Sequence, residues 1–128
     1  MRVQVTEVVD PAQGTVAFSC AVGEAVGRWR GEDAARIGSY DVELEIPEAV
    51  DRWAPHAPGP GSLSGVGPQD LAVTGVVVAV GEDDDPVLSL RVGTDILLVE
   101  LAAPVSWPAI GETIALRART LELYPYQL

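Results

Sequence analysis

Three carboxylates, Asp41, Glu43 and Glu45, stand at alternate positions in the stretch SYDVELEIPE, interleaved with Tyr40, Val42, Leu44 and Ile46. A period of two places the acids on one face of an extended strand, about 7 Å apart, and the apolar residues on the other. Four uses are open to such a row: holding a cation, acid–base chemistry, meeting a basic partner, or facing water. Carboxylates two apart on a flat strand do not converge on one ion. Among 19 acidic residues, some pair at acid–base spacing is expected by chance. The row therefore reads as a solvated face with cross-strand ion pairs, and as a candidate surface for a basic partner. Arg28 and Arg30, also two apart, are the expected counter-charges.

A second acidic group, Glu82 with Asp83, Asp84 and Asp85, fills GEDDDP. The D-x-D-x-D-G spacing and distal Glu of a calcium loop are missing. The run suits a loop tip, and Asp83, Asp84 and Asp85 are candidate contacts for steering a basic partner. The single histidine, His56, lies in a Pro-Gly stretch, and the nearby GSLSG is not a nucleophile elbow. Cys20, the single cysteine, shares a face with Val16 and Phe18 and reads as a small buried hydrophobe. There is no phosphate loop, dinucleotide fingerprint or Cys/His zinc cluster. A non-catalytic chain without cofactor or metal is expected. Trp53 and Trp107 border the stretches RWAPHAP and SWPAIG and are candidate barrel lids or binding hot spots. Tyr124 and Tyr126 in LYPYQL are placed to cap the barrel or extend such a face.

All eight basic residues are arginine, and the net charge is −11. That field repels nucleic-acid phosphates and anionic lipid, and draws basic partners. A Lys-free composition rich in Ala, Val, Gly and Pro is that of a GC-rich bacterial genome. The start, MRVQVTEVVD, alternates like a strand and lacks a signal-peptide core. The apolar run LAVTGVVVAV is about half a membrane span. A cytoplasmic location is expected.

These residues need strands to position them. The 128 residues suffice for one domain. Alternation marks strands in RVQVTEVV, TVAFSCA, AVGRWRG, YDVELEI, VLSLRV and ILLVELA, with LAVTGVVVAV central and buried. Helical spacing is confined to EDAARI (32–37) and EAVDRW (48–53). Residues 54–70 read as a Pro/Gly-rich loop between a first half, 1–53, and a second, 71–128. The halves form a loose repeat in which two short strands precede Ile-Gly-x-x and an alternating run, and they are expected to share one core. Apolar parity changes between Ile114, Leu116, Ala118 and Leu121, Leu123, which demands a bulge or sharp bend. The expected fold is all-β: a small closed or partly open antiparallel barrel of about eight strands from two similar halves, with at most one or two helical turns. The two-faced apolar ILLVELA also suggests a homo-oligomer.

The run GVVVAV, VLSLRVGTDILLVELA and IGETIALRARTLELYPY (71–126) resembles the OB-fold, a small Greek-key barrel. The first half, with RWRGEDAARIGSYDVELEI, looks like short stand-alone bacterial proteins. The OB resemblance implies a ligand-binding module for oligosaccharide or single-stranded nucleic acid, although the acidic excess opposes the latter. The reading placed first is an immunity- or inhibitor-like module that binds a basic protein.

Overall fold

The computed structural model describes residues 1–67, 69–102 and 106–126, among which there are eleven strands and no helix. In chain order they are β1 (Arg2–Asp10), β2 (Thr15–Cys20), β3 (Gly23–Trp29), β4 (Gly38–Glu45), β5 (Trp53–Pro55), β6 (Ser62–Gly67), β7 (Asp70–Ala79), β8 (Val87–Val92), β9 (Asp95–Glu100), β10 (Thr113–Ala118) and β11 (Glu122–Pro125).

β1, β2 and β3 form successive antiparallel hairpins, and β4 returns along the free edge of β1. β11 then lies antiparallel to β4 and parallel to β3, which closes a five-stranded barrel. The alternation of the sequence explains its inside: Val3, Val5, Val16, Phe18, Ala25, Val42 and Leu123 are buried. Register shifts in β1 after Val5 and Val8 bend the sheet toward closure. Gly27 is required at the seam, because a Cβ there would meet the Leu123 side chain and, at 2.9 Å, the Leu121 carbonyl. A closed small barrel of the kind the OB resemblance implies is thus present. Its strands are β1–β4 and β11, so the span 71–126 contributes only its last strand to this ring.

The rest of that span forms a second circuit. β7 is central, with β10 on one edge and β6 followed by β8 on the other, and β9 hairpins onto β8. β5 covers the outer edge of β10. Just before β5, Val50 bridges Leu101 in parallel: its N–H donates to Glu100 O (2.8 Å), and its carbonyl accepts from Ala102 N–H (2.8 Å).

The two circuits are wired alike. Thr15 faces Arg28 across β2–β3, and Val87 faces Glu100 across β8–β9, each 72 residues further on. β4 lies on β1 as β10 lies on β7. Both returning strands follow an exposed isoleucine, Ile37 or Ile110, with a positive-φ glycine next: Gly38 (152°), the first residue of β4, and Gly111 (91°), two residues before β10. The fifth member of each circuit comes from the other half: β11 completes the first, and 50–55 completes the second. The expected break in parity is therefore a crossing, where Arg119–Leu121 carries the chain from one circuit to the other. Glu48, on the reciprocal crossing, accepts the backbone N–H groups of Arg119 and Thr120 (2.7 Å to the latter). Buried side chains from both circuits form one continuous cluster.

Three expectations are corrected. Residues 54–70 are not one loop: β6 pairs with β7 and, in parallel, with β3. Leu63 is buried while Ser62 and Ser64 are exposed, too short an alternation to show as a period. The stretch 32–37 is not helical. Trp29 Nε1–H donates to Asp33 O (3.0 Å) and the Tyr40 hydroxyl to Arg36 O (3.0 Å), pinning an irregular loop too short to nucleate a helix. Residues 48–53 are drawn out of helical shape by the Val50 bridge and the β5–β10 pairing.

Candidate functional site

The acidic row lies where its alternation puts it. Val42 and Ile46 are buried, Tyr40 and Leu44 are half-buried, and Glu43 and Glu45 are exposed. Its counter-charges are not Arg28 and Arg30. β11 stands between β3 and β4, so those arginines lie two strands away. Asp41 instead pairs with Arg2 of β1 (3.1 Å), its register partner. Arg30 pairs with Glu122 (3.4 Å), and Arg28 Nε–H donates to Gln13 O (3.2 Å). Across β4–β11, Glu45 faces Glu122 and Glu43 faces Tyr124. Among the described residues no cation pairs with Glu43 or Glu45.

These two acids form one wall of a cleft of about 840 Å³ between the circuits. β4 and β11 supply Glu43, Leu44, Glu45 and Tyr124, and Tyr126 follows. The opposite wall is β9, with Asp95, Ile96, Leu98 and Glu100, and Ile46 and Leu63 lie between. Ile96 is 50% exposed, Leu98 60% and Tyr126 42%, so three of the most exposed large apolar side chains share this one depression. Among the described residues no arginine lines it, and a positive group there is the Met1 amino terminus, 3.3 Å from Asp95.

One ionisable group here is perturbed. Tyr124 donates its hydroxyl to Glu122 Oε1 (3.1 Å), and this bond raises its pKa above the usual phenol value. Desolvation and the negative charges of Glu122 and Glu45 act in the same sense, and Arg30 opposes them.

The chain matches no protein-family model, no curated protein and no solved structure.

The other candidates lie apart from the cleft lining. Glu82 and Asp85 exchange backbone hydrogen bonds (2.9 and 3.1 Å), making the acidic run a tight turn. Trp107 packs on the core and reaches Asp83 with its indole N–H (3.5 Å), so Asp83, Asp84, Asp85 and Trp107 form a second group. Trp53 packs on the core from β5, opposite Leu116. His56 is exposed, with Nδ1 3.0 Å from its neighbour's carbonyl. Among the described residues no three His, Cys, Asp or Glu side chains are placed to share a metal ion, and no helix is long and apolar enough to cross a membrane. The cleft residues Ile96, Leu98 and Glu100, though not Asp95 just before them, carry a visible signal in ILLVELA, a strand apolar on both faces. What the sequence hid was its neighbour across the gap.

Proposed function

We propose that the chain is a cytoplasmic, non-catalytic binding module whose cleft between the two circuits receives a basic protein. The observation that carries this reading is the coincidence of exposed apolar side chains with unpaired carboxylates. Ile96, Leu98 and Tyr126 supply a contact that excludes water, and Glu43, Glu45 and Glu100 surround it with charge that, among the described residues, no arginine matches. An apolar centre with a charged rim is the anatomy of a protein interface. The net charge of −11 extends the same preference over long range and speeds encounter with a cationic partner. Phosphate backbones are repelled by the same field.

The test is affinity capture from extract of the source organism at low and high salt, with the natural chain and a Glu43→Arg/Glu45→Arg variant as baits. A stoichiometric basic protein, retained by the natural chain at low salt and lost in the variant, is the expected result. Equal capture by both baits would show that the cleft is not the contact surface.

A further inference from the structure

Among the described strands β9 pairs with β8 alone. The direction of its backbone groups follows from two hydrogen bonds. Leu101 N–H donates to Pro86 O (2.7 Å), on the β8 side, whereas Glu100 O accepts from Val50 N–H, on the opposite side. Backbone groups alternate along a strand. The odd-numbered residues of β9 therefore bond to β8, and Ile96 and Leu98 each present an N–H and a C=O to the cleft. Among the described residues no strand hydrogen-bonds to that edge at Ile96 or Leu98; Val50 holds it at Glu100, and β4 approaches β9 without pairing to it. The Ile96 and Leu98 side chains are the exposed ones, so one short segment offers both a hydrogen-bonding edge and an apolar row.

An unpaired edge of this kind is a template for another strand. The charges around it select the occupant. Asp95 and Glu100 flank the apolar pair, and Glu43 and Glu45 face it across the gap. A second copy laid antiparallel on β9 would bring the same acids together, which like-charge repulsion disfavours. An extended segment bearing Arg or Lys meets the acids from both walls. Apolar residues at every second position would pair with Ile96 and Leu98. The cleft volume of about 840 Å³ is in the range that holds a bound ligand.

We propose that a basic, extended segment of the partner adds to the free edge of β9 as a further strand. This rests on the cleft being the binding site, and specifies how it binds.

The test uses a short peptide alternating Val and Arg, and two versions with every second backbone nitrogen methylated, one in each phase. Side chains and charge are the same in all three. Titrated into the full chain at low salt, the parent should bind and slow amide exchange at Ile96 and Leu98. One methylated phase should bind about tenfold weaker or worse, because its methyl groups face β9, while the other binds like the parent. A Leu98→Pro chain keeps every hydrogen bond to β8 and loses an outward N–H together with the leucine side chain, so it should bind the parent at least as weakly, with little change in melting. Leu98→Ala, which keeps that N–H, separates loss of the side chain from loss of the donor. Equal binding by both methylated phases would overturn strand addition and leave the cleft reading standing. No binding by the parent peptide would also overturn it, and the cleft reading is then decided by its charge-reversed bait. A dimer of the chain alone, with Ile96 and Leu98 already protected, would replace the basic segment with a second copy.

Discussion

Glu48 ties the two crossings together through the backbone N–H groups of Arg119 and Thr120. Removing a carboxylate acceptor leaves both donors without it. Glu48→Ala should cost about 1–3 kcal/mol, read as a lower urea midpoint, and Glu48→Gln should restore part of the loss. Tyr124 makes a second prediction. Its phenol titrates above the ordinary value of about 10 because the folded chain favours the neutral, hydrogen-bonded form. That contribution to stability is complete below the unfolded phenol value and disappears as pH rises through the folded one. Absorbance titration of Tyr124 should show the raised value, and Glu122→Gln should lower it towards the ordinary range. At this scale the acidic row was legible, since alternation with Val42 and Leu44 fixes its face. Its partner was not. Arg28 and Arg30 have the right spacing, but only the strand order reveals that β11 intervenes and that Arg2 is the neighbour.

Among the elements, β6 shows how a strand hides. It holds Leu63 inward between two serines, and what positions it is a glycine on another strand. A Cβ at Gly23, whose φ is 145°, would collide with the Leu63 carbonyl. Gly23→Ala should therefore separate β3 from β6 and cost about 3 kcal/mol or more, whereas Gly59→Ala, with open space around it, should stay within about 0.5 kcal/mol in the same denaturation series. The central place of β7 was readable from an apolar run with no polar face, and it does carry partners on both edges. The break between β10 and β11 was readable from parity. Its meaning was not, because a change of parity says that the chain turns and not which ring it enters.

For the molecule as a whole, the loose repeat in the sequence corresponds to a repeated set of pairings. The exchange of the fifth members was illegible, since it depends on contacts such as Leu123 with Leu44 and Val50 with Leu101, far apart along the chain. Each half lacks one member of its own circuit and carries one that belongs to the other. Fragments 1–59 and 60–128 should accordingly show no cooperative melting alone, and an equimolar mixture should regain the melting transition and circular dichroism of the intact chain. A cooperative transition in either fragment by itself would contradict this dependence. The exchange has a further consequence for connectivity. Met1 and Tyr126 bond to opposite edges of the same short stretch of β4, Met1 to Val42 and Tyr126 to Asp41. A linker spanning one strand would join them, and the chain could then be opened between Pro47 and Ala49. In that circular permutant each circuit is one uninterrupted run, first 50–118 and then 122–126 followed by 1–45. The same packing would be reached with no exchange at all, so the interlocking of the halves is set by where the backbone is cut and not by how its strands pack.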